Sequence, residues 1–276
     1  MKQLPLSNEG ALPWWHALCA LAALNVCAWL GIWLFGPARD TYSTLQLTLS
    51  GAYVFVCAYR SILPRVDLER RVVVDSVVSS IFLGRSAATI AEVCFGVQLG
   101  LLIYELGAYA GLPGVQETAW VVTLCTVLAQ GFCWHSILTL NHITQAVESL
   151  LWALGFSWMT ALLIVVAMDT GGVVHALALA GVLASSTFVA YVLFFDVPLY
   201  LRRFNKARAH GQRYLSVQQG LRDAWFRREP DHSWDNWRAD ALWLTPYFSV
   251  KGKNSRSGFG KYGPSAGYRN LEPGFY

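Results

Sequence analysis

The chain is short of charge. Asp, Glu, Lys and Arg make up 14% of its 276 residues, against about a quarter in a soluble globular domain. A soluble fold of this length needs those groups to cover its surface, so the deficit excludes an ordinary water-soluble domain. Familiar catalytic motifs are missing as well. There is no HExxH for zinc, no glycine-rich phosphate loop and no nucleophile signature. Cysteine offers no ready redox or metal pair: Cys19, Cys27, Cys57, Cys94, Cys125 and Cys133 all lie in apolar runs, and none forms CxxC. They read as free thiols buried in the bilayer. Cys19 and Cys27 share a rough helix face, as do Cys125 and Cys133, a weak pointer to metal. The first apolar run is too long for a signal peptide and lacks a convincing cleavage site, so it reads as a retained span. No Arg-rich, acid-poor transit peptide precedes it. No repeat or heptad array stands out.

What fills the chain is apolar sequence. Hydrophobic residues make up 55% of it and mean hydropathy is +0.39. A spanning helix needs about 20 mostly apolar residues, and six segments meet or approach that: about 12–35, 44–63, 86–110, 119–140, 147–168 and 174–195. Gly36-Pro37, Pro64, Gly111-Leu112-Pro113-Gly114, Asp169-Thr170-Gly171-Gly172 and Asp196-Val197-Pro198 punctuate them, where helices are expected to stop. The expected fold is all-α: a polytopic membrane protein with a six-helix transmembrane domain over 1–199 and an amphipathic, partly irregular basic tail over 200–276. Between the second and third spans, Val72–Leu83 is apolar but too short to cross. It is expected as a helix in the interface or against the bundle.

Charge sets the orientation. From Val197 onward there are 14 Lys and Arg against 6 Asp and Glu. The loop between spans two and three holds Arg60, Arg65, Arg70, Arg71 and Arg85, while the loops expected opposite hold Arg39. Lys and Arg accumulate on the side that is not translocated, so both termini are expected on the matrix or cytoplasmic side. In the tail, Val217, Leu221 and Trp225 recur at helical spacing, as on an amphipathic surface helix. Trp225, Trp234, Trp237 and Trp243 are the expected docking residues, for a partner or for anionic lipid headgroups. The Gly- and Ser-rich basic end is expected to be disordered in isolation.

Topology then gives depth. Glu92 lies about 9 Å into span three and His135 about 7–8 Å into span four from the basic side, at 1.5 Å per residue. His142, Gln145 and Glu148 occupy the turn into span five. Arg85, Glu92, His135, His142, Gln145 and Glu148 are therefore the candidate intramembrane polar cluster. Ionisable groups in a span are costly, and they face protein or water with partners. The plain alternative is that Arg85 and Glu92 tie helices together and that the histidines are hydrogen-bonding core or interface groups. Asn25, Gln98 and Gln130 read as interhelical hydrogen-bonding groups. Gly100, Gly107 and Gly111 read as close-approach positions on span three. No metal site is assigned: the two histidines stand two turns apart, about 10 Å, too far to share an ion. A line of Glu105, Gln98, Glu92, His135 and Glu148 is a conceivable proton path, but internal repeats and broken helices are missing.

The leading functional expectation is an integral membrane structural or accessory subunit of a large assembly, of respiratory or ATP-synthase type. Its partners would be other membrane subunits and anionic lipids, not nucleic acid, with bound lipid and no assigned cofactor. The expected location is the mitochondrial inner membrane, with a bacterial cytoplasmic membrane as alternative. The rival reading is a membrane enzyme or a metal- or cofactor-binding protein using the His/Glu cluster.

Overall fold

The computed structural model describes residues 11–211 and 214–238. Trp243, the Gly- and Ser-rich end and the first ten residues lie outside that range. Helix α1 (Ala11–Phe35) stops at Gly36-Pro37, and α2 (Thr41–Ile62) starts on Asp40. The Asp40 carboxylate accepts the Ser43 N–H at 2.8 Å, meeting one of the donors a helix start leaves free. Hydrogen bonding from Ser43, side chain and then backbone, holds the Asp40 carboxyl below its ordinary range. Helix α3 (Ile81–Ala110) is capped by Ser80, whose hydroxyl accepts the Leu83 N–H at 3.3 Å, and it ends on left-handed Gly111. A short α4 (Pro113–Thr118) leads into α5 (Val121–Thr139), and Asn141 caps α6 (His142–Asp169). Helix α7 (Gly172–Tyr191) runs through a π-helical turn, Val192–Asp196, into α8 (Val197–Ala209). Pro198 has no N–H to donate, and in a regular helix its ring would meet the Phe194 carbonyl. The wider turn relieves that clash.

Among the described residues, five helical stretches are long and apolar enough to cross a membrane: Ala11–Phe35, Ile81–Ala110, Pro113–Thr139, His142–Asp169 and Gly172–Ala209. These are the helices of an integral membrane protein. Helix α2 is long enough but falls short in hydropathy, because Thr41, Ser43, Thr44, Gln46, Thr48 and Ser50 crowd its first half. Thr44 and Thr48 turn their hydroxyls back onto the carbonyls of Asp40 and Thr44, both at 2.8 Å, which removes part of the cost of placing them in lipid. The helices also start earlier than hydropathy alone suggests. Helix α3 takes in Arg85 and α6 takes in His142, because a side-chain cap, not the first apolar residue, sets each start. At the other end, α8 runs straight across the expected boundary at residue 199.

Principal contacts among the described residues run α1–α2–α3–α5–α6–α7, with α8 continuing α7 along α6 and a smaller diagonal between α3 and α6. The helices thus stand largely in a row, one helix thick, rather than in a closed bundle. Small residues and amides join the row. Trp29 of α1 lies over Gly51 of α2 and donates to the Leu47 carbonyl at 3.0 Å. Gln46 and Gln98 exchange bonds across α2 and α3, each amide donating to the other's backbone carbonyl at 3.1 Å. Gly96 sits on Thr126, Gly100 on Trp120 and Thr123, and Gly107 on Val115 and Gln116. Gly111 plays a different part from the close approach expected of it: its φ of 68° ends α3 and its Cα faces open space.

One end of the row is closed by a plate. Val72–Leu83 does not form the expected interfacial helix. Strands β1 (Arg65–Val66) and β2 (Arg71–Val72) pair antiparallel, and β3 (Glu229–Pro230) from the tail pairs parallel to β2. Helix α9 (Val217–Phe226), opened by a Ser216/Gln219 capping box, packs beneath α5 and α3. Only Val72 of that segment is strand, paired to the tail; Val77–Ser79 makes a single 3-10 turn and Ile81–Leu83 is already the first turn of α3, so no separate interfacial helix forms.

Candidate functional site

The buried polar groups gather at the plate end. Arg85, Thr89 and Glu92 follow at steps of four and three on one face of α3. Gln130 and Trp134 face them from α5. The Arg85 guanidinium meets the Glu92 carboxylate at 2.8 Å and donates to Gln130 Oε1 at 2.6 Å. Gln130 Nε2 donates to Glu92 Oε2 at 2.7 Å, Thr89 donates to Gln130 Oε1 at 3.2 Å, and Trp134 Nε1 donates to Thr89 at 3.0 Å. Gln130 is thus the centre of the network. Its amide offers Arg85 an acceptor and Glu92 a donor at once. Arg85 Nε remains buried without a hydrogen-bond partner among the described residues.

Glu148 is buried at the start of α6 and receives the Gln145 amide. It faces the Cys133 thiol, within electrostatic reach of Arg85, Glu92 and Asp196. One residue on, Ser149 donates to Asp196 Oδ2 at 2.6 Å. This links α6 to the π-helical turn.

The structure therefore brings Arg85, Glu92, Gln145 and Glu148 into one region and leaves the histidines out. His135 is exposed on the other side of α5, with Nδ1 3.3 Å from Thr144 Oγ1. His135 therefore does not join Glu92 in the cluster. At the 3.6-residue period, His135 lies five positions past Gln130 and so is turned away from the α3 face. His142 is half-buried at the first turn of α6, and its Nδ1 is buried without a hydrogen-bond partner among the described residues. Among those residues, no three His, Cys, Asp or Glu side chains come together in a metal-holding group. The conceivable proton line does not form either, since Gln98 is engaged with α2 and Glu105 is exposed.

The tail tryptophans also have internal places. Trp225 packs on Phe82 at 5.1 Å between ring centroids. Trp237 is fully buried, 5.7 Å from Trp14 and under the Arg71 guanidinium, and its Nε1 donates to the Asp231 carbonyl at 2.7 Å. Trp234 lies 6.3 Å from Trp14. These three rings, expected to dock on other chains, instead anchor the tail to the start of α1 and α3. The reason is proximity: the plate folds the tail back under the helices it follows.

The tightest charged site in the plate is one that sequence reading passed over. Arg70 is 1% exposed and sits at a left-handed φ of 57°. Its Nε donates to Asp223 Oδ2 at 2.7 Å, Nη1 to the Asp67 carbonyl at 2.6 Å and Nη2 to the Ile137 carbonyl at 2.9 Å. One guanidinium thus ties the loop, α9 and the end of α5. Its partner lies 153 positions away, and spacing carries no signal over that distance. Arg65 is buried beside it, over the Tyr59 ring at 4.9 Å and against Gly84.

No protein-family model matches the chain, no curated protein matches it and no solved structure matches it.

Proposed function

We propose that this chain is a structural, accessory subunit of a larger membrane-protein assembly, crossing the bilayer six times with both ends on the plate side. The observation that carries the reading is the row. Helices α1 and α7 stand at its ends and bury little of their own surface, and the span windows containing them are only 11% and 17% buried within the chain. Helices that supply so little internal core are suited to packing against neighbours in the membrane plane. The plate supports the same reading. Its Arg85–Glu92–Gln130 network and Arg70–Asp223 pair join helix to helix and tail to bundle. Such ties hold a scaffold in shape. The positive-inside rule assigns the plate, with its arginines, to the matrix or cytoplasmic face. The proposed location is the mitochondrial inner membrane, with a bacterial cytoplasmic membrane as the alternative, where anionic headgroups meet the exposed Arg202, Arg203 and Lys206 of α8.

The test is purification from native membranes in mild detergent. The chain is expected to migrate with other polypeptides in fixed stoichiometry, and its deletion is expected to lower the amount of intact assembly. A chain that purifies with no other polypeptide, and whose deletion leaves every membrane complex intact, would overturn the reading.

A further inference from the structure

Helix α1 lays one face on α2 and leaves the next flank bare. Along that flank Leu21, Asn25, Ala28, Ile32 and Phe35 follow at steps of four, three, four and three. That spacing makes an a/d seam two heptads long. Asn25, Ala28, Ile32 and Phe35 are exposed, the last at 86%, and Leu21 is half-buried. Asn25 stands about 21 Å along α1 from Ala11, near the middle of a hydrocarbon layer about 30 Å thick. Its amide offers two donors and an acceptor, and among the described residues it forms no hydrogen bond. Gln46, Gln98 and Gln130, the amides on α2, α3 and α5, all have partners within the chain. Lipid tails offer an amide nothing, and polar side chains within spans turn to protein.

We propose that this seam pairs with the same seam of a second copy of the chain, α1 against α1, with the two Asn25 amides hydrogen-bonded to each other. Three arguments single out a copy. The primary amide is its own complement, donor to acceptor and acceptor to donor. Two copies inserted with the same orientation are related by a two-fold axis along the membrane normal, so their α1 helices run parallel and equal residues meet at equal depth. In a parallel two-stranded seam, a single Asn at an a position fixes register and strand number. Ala28, one step along, allows the close approach such a bond needs. The inference rests on α1 spanning the membrane and does not depend on which other chains join.

The experiment is cross-linking in native membranes, in a chain whose six native cysteines are replaced by alanine. Asn25→Cys and Ala28→Cys are expected to give a disulfide-linked dimer on oxidation, and Ala23→Cys, on the other side of α1, is not. In parallel, energy transfer between labelled copies of the otherwise unaltered chain is followed on dilution into lipid vesicles. Asn25→Leu is expected to weaken pairing about tenfold, the scale of an interhelical hydrogen bond, and Asn25→Gln to retain most of it. Equal cross-linking from Ala23→Cys, no dimer at any seam position, or pairing untouched by Asn25→Leu would each overturn the proposal. Labelling of reduced Asn25→Cys by a membrane-impermeant maleimide would remove the spanning reading beneath it. A shielded thiol that fails to cross-link removes the dimer alone.

Discussion

Arg70 joins three separate parts of the chain through one side chain. Removing it would leave the Ile137 carbonyl without its donor and Asp223 without its cation, and breaking a buried pair in this way costs about 3–5 kcal/mol. Arg70→Ala should therefore lower unfolding stability by about 3 kcal/mol, measured by denaturant titration in detergent micelles. Lysine should not rescue it, because one ammonium cannot span the positions that the planar fork reaches. Backbone strain gives an internal control. Glycine tolerates the left-handed φ that a side chain resists by about 1–2 kcal/mol, so Arg70→Gly should lose less than Arg70→Ala. The reverse order would show that the left-handed backbone at position 70 carries no strain. Gly84 belongs to the same scale. A methyl there would overlap the Arg65 guanidinium, which is boxed in by Tyr59 and by the Ser80 carbonyl at 3.4 Å.

Among the elements, α9 shows how one small residue positions a whole helix. Val217, Leu221 and Phe226 remain exposed, and the contact face is Gly220, Ala224 and the half-buried Trp225. A Cβ at Gly220 would overlap the Leu138 carbonyl oxygen, and backbone cannot give way as a flexible side chain can. Gly220→Ala should therefore lift α9 from the end of α5 and open the Leu215 N–H bond to the Thr139 carbonyl, 3.2 Å in the native chain. Limited proteolysis should then cut within 214–228 while the helices above stay intact; an unchanged cleavage pattern would show that α9 is not seated through this contact. The apolar stripe of Val217, Leu221 and Trp225 is readable in the sequence, but the way it faces is not. Apolar residues at helical spacing mean that a helix has an apolar side, and here the two smallest residues decide which side meets the bundle.

For the whole molecule, the number of crossings depends on α2. Its polar first half keeps it out of the five strongly apolar helices, yet it packs lengthwise between α1 and α3. A six-pass chain places Ala38 and Gly171 on one face of the membrane and Glu69 and His210 on the other. Cysteines substituted singly at these exposed positions should label with impermeant reagent in those two sets. Labelling of Ala38→Cys and Glu69→Cys from the same face would mean that α2 does not cross. The row architecture gives this test its weight, since a palisade with an even number of crossings keeps the N-terminal end of α1 beside the plate, where Trp14 meets Trp237.

Composition and hydropathy alone determined that the chain is helical and membrane-embedded, and glycine and proline marked most of the helix ends. Both signals are local, because burial in lipid needs only a run of apolar side chains and a stop needs only one restrictive residue. The pairing of Arg85 with Glu92 was legible for the same reason, being two turns of one helix. The tertiary structure decided everything that depends on two distant segments meeting: Gln130 in place of His135, the tail strand that joins the Arg65–Val72 hairpin, the guanidinium of Arg70 reaching Asp223, and the tryptophans folded inward. In those cases the free energy comes from polar groups finding partners away from water, and the sequence names the groups without naming which ones meet.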